Sequence, residues 1–117
     1  MDRLRPEAFL PLTAVAFDIL LALADGERHG YSILQEVEAR TGAALHAGTL
    51  YRALARLLEQ RLIDEIDPPS DAERDDERRR YYRLTERGIA VARAEMQRLE
   101  AQLTTARSRR LLKPVRS

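Results

Sequence analysis

The amino-acid sequence predicts a mainly α-helical fold with a two-stranded β-hairpin. Three helical stretches precede two short β-type segments, and a long helix with a heptad pattern follows them. A chain of 117 residues has room for one core. Hydrophobic residues make up 44% and charged residues 33%, a balance typical of packed helices with charged outer faces rather than of a disordered chain.

Capping residues and glycines divide the first half of the chain into three predicted helices. The first runs from an N-cap at Thr13 to Asp25, where Gly26 can supply a left-handed cap. The second covers residues 30–41 and the third residues 47–60. The third helix contains leucines at the spacing of a buried stripe: Leu50, Leu54, Leu57 and Leu58.

The pattern after the third helix changes to β-type. Residues 62–66 and 81–84 are rich in β-branched and aromatic side chains, so we expect them to form a hairpin. The connecting loop, 67–80, contains two prolines directly after Asp67 and is mostly charged. Residues 71–80 have no apolar side chain larger than alanine, so we expect them to form a solvated loop.

The last predicted helix is capped by Thr85 and carries a coiled-coil pattern. Its apolar side chains alternate at spacings of three and four residues. Such a seam has to be buried against another surface. Its residues are Ile89, Ala92, Met96, Leu99 and Leu103.

The sequence lacks the residues that are characteristic of several classes of function. The chain has no cysteine, which excludes disulfides and thiolate metal sites. Its two histidines, His29 and His46, have no obvious carboxylate partner, and no glycine-rich phosphate loop is present. We therefore expect neither an enzyme nor a bound metal or cofactor.

The apolar run 8–24 imitates a secretory signal, because Arg3 and Arg5 precede it and small residues end it. Asp18 lies in the middle of the run, however, and its larger apolar residues share one helical face. The run is also too short for a membrane span. These features favour a helix of a cytoplasmic protein with no membrane association.

The distribution of charge is more informative than the net charge of +1. Of the 20 basic residues 13 follow Asp67, compared with 8 of the 19 acidic ones. An asymmetry of this kind is a mild indication of a polyanionic partner.

The order of elements is that of a winged helix-turn-helix, in which the second helix of the pair enters the major groove of DNA. Here that recognition helix is 47–60. Its leucine stripe turns Thr49, Arg52 and Arg56 outward, with Tyr51 at the flank. Arginine can grip guanine or clamp phosphate, and the sequence leaves both roles open. In the wing, 67–80, the candidates for minor-groove or phosphate contact are Arg78, Arg79 and Arg80.

Alternative interpretations remain for these residues. Tyr51 also fits a half-buried packing position, and the acidic residues of loop 71–77 can neutralise its arginines. A winged helix can also serve as a protein–protein interaction module without binding DNA. The basic side of the third helix argues against that alternative.

The sequence resembles the PadR family of transcriptional regulators, of the type with a short C-terminal helix. The resemblance depends on four stretches in the family's order: Leu20-Leu21-Ala22-Leu23 leading to His29-Gly30-Tyr31, then Gly48-Thr49-Leu50-Tyr51-Arg52-Ala53-Leu54, then Leu62-Ile63, and then Arg79-Arg80-Tyr81-Tyr82-Arg83-Leu84-Thr85-Glu86 with Gly88.

This resemblance implies a homodimer that binds a double-stranded DNA operator, usually as a repressor. It also implies that the last helix pairs with its symmetry mate, which makes the apolar seam of that helix the predicted dimer seam. Residues 1–88 would form the winged-helix DNA-binding domain, and residues 85–117 the dimerisation helix and basic tail. We interpret His29-Gly30-Tyr31 as a structural motif in which Gly30 permits close packing at the start of the second helix and Tyr31 fills the core. Arg61 departs from the pattern, since a glycine is expected after the third helix.

Some members of the family sense small molecules at the dimer interface. This chain has no tryptophan and only two Phe and four Tyr. No aromatic set indicates a site for a flat ligand, so the sequence leaves open whether an effector exists.

Overall fold

The computed structural model describes residues 5–70 and 79–114 of the chain. In these ranges the predicted mainly helical fold with a β-hairpin is confirmed. A short 3₁₀ turn, Pro6–Phe9, comes first. The helices and strands that follow are α1 (Ala14–Ala22), β1 (Arg28–His29), α2 (Gly30–Thr41), α3 (Ala47–Glu59), β2 (Ile63–Ile66), β3 (Tyr81–Leu84) and α4 (Glu86–Ser108).

The sheet contains one strand more than the predicted hairpin. Its order is β1-β3-β2, with antiparallel pairing throughout. Strand β2 pairs with β3 so that Ile63 lies opposite Leu84, and β1 adds Arg28 opposite Tyr82 on the other edge. The two-residue strand β1 is too short to show an alternating pattern, which explains why the sequence did not reveal it.

Helix boundaries follow the predicted caps with one exception. The Thr13 side chain accepts a hydrogen bond from the Ala16 amide at 3.1 Å, as an N-cap does. Helix α1 ends at Ala22, so the prediction that it continues to Asp25 is wrong. The Arg28 guanidinium donates a hydrogen bond of 2.8 Å to the Ala22 carbonyl and thereby satisfies the helix end early.

The core lies between the first three helices, the sheet and the start of α4. Leu50, Leu54 and Leu57 of α3 face it together with Ile19 and Leu20 of α1, all of them at most 1% exposed. Leu58, the fourth leucine of the predicted stripe, is half-buried. Helix α4 contributes Val91 and Ala92 to the same cluster. The terminal helix therefore packs against the winged helix as well as extending beyond it.

Close contact between α4 and β2 depends on Gly88. A Cβ atom at this position would lie 2.0 Å from the carbonyl oxygen of Leu62, so any side chain would force the backbone apart. The same oxygen accepts a hydrogen bond from the Thr85 amide at 3.1 Å. These contacts fix the direction in which α4 leaves the sheet.

Residues 5–12, which we call the N-terminal arm, are held on α4. The Leu12 amide donates a 2.8 Å hydrogen bond to the carboxylate of Glu95, which is 1% exposed. Arg98 also donates to that carboxylate, and these two donors hold the pKa of Glu95 below its ordinary value despite its burial. The arm is thus tied to a buried ionised group.

A second tie joins the arm to α3 through Arg87 of α4. Its guanidinium lies 5.9 Å from the ring centroid of Phe9 and donates a 3.0 Å hydrogen bond to the Gln60 carbonyl at the end of α3. The arm, α3 and α4 are therefore linked through one side chain.

Helices α3 and α4 both end in a left-handed residue that is not glycine. Arg61 has φ of 59° and Arg110 has φ of 62°. After α3, the Leu62 amide bonds the Leu57 carbonyl and the Arg61 amide bonds the Leu58 carbonyl, which is a Schellman motif. Arg61 thus keeps the backbone shape in which we expected a glycine.

Candidate nucleic-acid interface

The leucine stripe of α3 decides which side chains this helix exposes. Leu50, Leu54 and Leu57 are each 1% exposed and face the core. Arg52 and Arg56 are exposed, and Thr49 is half-buried. The predicted orientation of the helix is therefore confirmed, whereas the roles of these side chains remain predictions.

Thr49, Arg52 and Arg56 lie together on the flank of α3 that faces the N-terminal arm. The Arg52 guanidinium is 3.5 Å from the Thr49 hydroxyl oxygen, at the limit of a hydrogen bond. Among the residues that the structure describes, neither arginine forms an ion pair. Both guanidinium groups are thus available to an anion.

Tyr51 lies on the other flank of α3, which faces the base of the wing. Its side chain is 50% exposed, and its ring covers Gly30 at the start of α2. A Cβ atom on Gly30 would lie 2.6 Å from the Tyr51 hydroxyl oxygen, so the predicted close packing at Gly30 is confirmed. The Tyr51 ring therefore packs while half of its side chain stays accessible.

The wing places two of its predicted arginines beside Tyr51. Arg79 and Arg80 line a cavity of about 280 Å³ together with Tyr31, Tyr51 and Tyr82. Arg80 also lies 3.7 Å from a carboxylate oxygen of Glu65 in β2. The third predicted wing residue, Arg78, and the acidic loop residues 71–77 lie outside the described residues.

Tyr31 belongs to this cavity, and the expectation that it fills the core is wrong. Its side chain is 49% exposed, and the Arg79 guanidinium lies 5.1 Å above its ring. Helical spacing could have revealed this orientation, because Tyr31 lies about 200° around α2 from the buried Ile33.

His29 completes the local framework behind these side chains. It is buried, and its Nδ1 accepts a 3.0 Å hydrogen bond from the Ser32 amide at the start of α2. Its ring meets that of Tyr81 edge-on at a centroid distance of 5.3 Å. His29 thus joins α2 to the wing strand β3.

The predicted dimer seam on α4 is exposed at several positions. Ile89, Met96 and Leu103 are 38%, 44% and 45% exposed, and Leu99 is half-buried. Ala92 is only 8% exposed because it packs within its own chain. Ile89, Ala92 and Met96 line one wall of an apolar groove of about 430 Å³ whose other wall is the end of α1.

A family model of PadR-like transcriptional regulators matches residues 19–94, which include α2, α3, the sheet and the first part of α4. The chain belongs to the PadR-like family of transcriptional regulators. The match covers the greater part of the chain and includes the helices and wing strands described above. The N-terminal arm lies outside it.

Solved structures of PadR-like and other regulators share the fold. A PadR family regulator from Clostridium difficile is 25% identical, with a TM-score of 0.73 over 82% of this chain and 97% of that chain. A transcriptional regulator from Clostridium thermocellum is 27% identical, with a TM-score of 0.67 over 80% and 87%. RosR from H. salinarum is 29% identical, with a TM-score of 0.61 over 83% and 79%.

A curated relative matches a shorter stretch. It is an uncharacterized protein in a Streptomyces fradiae transposon, 45% identical over 49 residues. The match takes in 42% of this chain, and the chain spans 14% of the length of that relative.

Two further properties concern the described part of this PadR-like chain. Within residues 5–70 and 79–114, every helix is too short or too polar to cross a lipid bilayer. Across the same ranges, no group of three or more His, Asp or Glu side chains is arranged to hold a metal ion.

Proposed function

We propose that this PadR-like regulator binds operator DNA as a homodimer and acts as a cytoplasmic repressor. Helix α3 enters the major groove, and the wing, residues 67–80, lies near the minor groove or the phosphates. The observation that carries the proposal is the pair Arg52 and Arg56, exposed on α3 with no ion-pair partner among the described residues.

Guanidinium groups suit this role because each presents a planar set of donors. They bond guanine edges in the major groove or phosphate oxygens of the backbone, and they stay charged at any physiological pH. Thr49 precedes them in the first turn of α3, where hydroxyl and amide donors commonly meet a phosphate. The three side chains together suit a duplex that lies across α3.

Tyr51, Arg79 and Arg80 extend this surface toward the wing. The two arginines adjoin the ordered strand β3, and both line the cavity that Tyr51 shares with Tyr31. We propose that a backbone phosphate lies against this cavity, where tyrosine hydroxyl and guanidinium donors converge. Arg78 belongs to the same proposed wing contact.

A homodimer is supported by the exposed apolar seam on α4. Exposed aliphatic side chains at heptad spacing favour pairing with the same helix of a second copy, since burying them removes apolar surface from water. In such a dimer the two α3 helices are expected to lie about one DNA turn, ~34 Å, apart. Two half-sites then bind one dimer.

The decisive test is a titration with the DNA upstream of the chain's own gene at several salt concentrations. Affinity should fall steeply with salt, because phosphate contacts release counterions. Arg52→Ala and Arg56→Ala should each weaken binding about tenfold to a hundredfold. A loss of affinity for the operator alone indicates a base contact. An equal loss of affinity for all DNA sequences, with the slope of log affinity against log salt concentration lower by about 1, indicates a phosphate contact.

Arg109→Ala is the matched control, because it removes the same charge from the end of α4. Its DNA affinity should stay close to that of the parent chain. Circular dichroism should show all three variants folded. Unchanged affinity in both α3 variants would contradict the proposed DNA surface and favour a winged helix that binds only protein partners.

A further inference from the structure

The N-terminal arm and α3 enclose a cleft of about 470 Å³. This volume lies within the range of sites that bind small ligands. Phe9, Leu12, Val15, Ala16, Ala53 and Leu57 form most of its apolar walls. The family model matches α3 but not the arm. One wall of the cleft therefore lies inside the matched stretch, and the other lies outside it.

The rim of this cleft is cationic. Arg52 and Arg56 line it, and none of its lining residues in the described part of the chain is an aspartate or a glutamate. The carboxylate of Glu95 that holds the arm is buried and accepts bonds from Leu12 and Arg98, so it is already satisfied. The cleft therefore combines an apolar interior with two uncompensated guanidinium groups.

The geometry points to a binding site for a small amphipathic anion, whose apolar body enters the cleft and whose carboxylate or sulfonate pairs with Arg52 and Arg56. Such a ligand and DNA exclude one another, because both need the same guanidinium groups. This second statement rests on the proposed function, whereas the binding site itself does not. The ligand would release the regulator from its operator.

The walls are held in place without a ligand. The arm is anchored through Leu12 to Glu95, and Phe9 lies against Arg87, whose guanidinium also bonds the end of α3. A site that is already formed loses little ordering entropy when a ligand enters. The cleft thus differs from a gap between two mobile segments.

The groove between α1 and α4 is a poorer candidate. Ile89 and Met96 of the proposed dimer seam line it, so a second copy would cover it. Glu27 and Arg83 also line this groove, and the Arg83 guanidinium lies 3.9 Å from a carboxylate oxygen of Asp64. Its positive charge is therefore partly compensated.

Anilinonaphthalene sulfonate is a suitable probe, with its uncharged parent phenylnaphthylamine as the control for charge. Both have the same ring system, and both fluoresce more strongly in apolar surroundings. We expect the sulfonate to bind in a saturable manner, with one molecule per chain. It should bind about tenfold more tightly than uncharged phenylnaphthylamine, because each charge-assisted hydrogen bond adds binding free energy to that of apolar burial.

Variants separate the two halves of the site. Ala16→Leu fills the apolar interior and should weaken the binding of both probes about tenfold or more, while Arg52→Ala should weaken only the sulfonate. Ala24→Leu makes the same substitution in the groove between α1 and α4 and should leave sulfonate affinity unchanged. Phe9→Ala removes part of the apolar wall and serves if Ala16→Leu fails to fold.

Equal affinity for anilinonaphthalene sulfonate and for uncharged phenylnaphthylamine would overturn the proposed site. Undiminished sulfonate binding in both Ala16→Leu and Phe9→Ala would overturn it as well. These titrations contain no DNA, so they judge the cleft alone. In a second arm, DNA should displace the sulfonate from the parent chain. DNA and probe bound together would refute mutual exclusion, whereas failure of the parent chain to bind DNA would refute the proposed function alone.

Discussion

Helices α3 and α4 both carry a regular apolar stripe, but their surroundings differ. Leu50, Leu54 and Leu57 of α3 are each 1% exposed, whereas Met96 and Leu103 of α4 are 44% and 45% exposed. The stripe of α3 is buried by other residues of the same chain. In the stripe of α4, Ala92 packs in the core, whereas Ile89, Met96 and Leu103 are exposed to solvent.

This difference separates two uses of the same pattern. A stripe that is buried by its own chain fixes the fold and orients the opposite face, here Arg52 and Arg56. A stripe that is left exposed costs free energy in water until a partner covers it. The first kind of stripe determines the tertiary structure, and the second favours assembly.

The largest effect on stability should come from Leu54→Ala. Removing a fully buried leucine side chain leaves a cavity, so we expect a loss of about 2–5 kcal/mol in the free energy of unfolding. Leu103→Ala, in chains dilute enough to be monomeric, should change it by no more than about 0.5 kcal/mol. Urea denaturation followed by circular dichroism measures both, and similar losses would contradict the comparison.

The next effect concerns assembly and uses Leu103→Glu. A buried unpaired carboxylate in each copy should raise the dissociation constant of the dimer at least about a hundredfold, which corresponds to ~2.8 kcal/mol. Sedimentation velocity over a concentration series measures it. Helix content of the variant should remain that of the parent chain.

Ala101→Glu is the matched control for this variant, since it adds the same charge at an exposed position on the side of α4 away from the seam. The control should dimerise like the parent chain. Dimerisation of Leu103→Glu with unchanged affinity would exclude the seam as the interface. A parent chain that is monomeric at micromolar concentration would exclude the homodimer itself.

The smallest effect distinguishes the ends of the two helices. Arg61→Gly relieves a left-handed residue at 59° and should raise the free energy of unfolding by up to about 1 kcal/mol, because glycine adopts this conformation without strain. Arg110→Gly should raise it less, because α4 ends in an exposed segment whose local opening leaves the core intact. Thermal unfolding of both variants measures the difference, and equal gains would contradict it.

Much of the fold could be predicted because its signals are local. Thr13 and Thr85 accept the capping bonds that their positions suggested, and Gly42 has the left-handed φ of 74° that ends α2. Periodicity oriented α3 correctly. Strand β1 and the early end of α1 were missed, because both depend on contacts with residues distant from the local pattern.

The candidate site was predictable in its residue types but not in its arrangement. Arg52 and Tyr51 are neighbours in sequence, yet one faces the N-terminal arm and the other faces the wing. No pattern in residues 5–12 indicated that they would form a wall beside α3. The tie from Leu12 to Glu95, 83 residues later in the chain, creates that wall.

The sequence by itself determined the order of the elements, the buried face of α3 and its family, because caps, periodicity and motifs act over a few residues. The tertiary structure alone decided that Arg79 of the wing lies over the Tyr31 ring and that the arm forms a cleft beside Arg52 and Arg56 of α3. The physical reason is that these features arise from packing between segments distant in sequence, which no local pattern records.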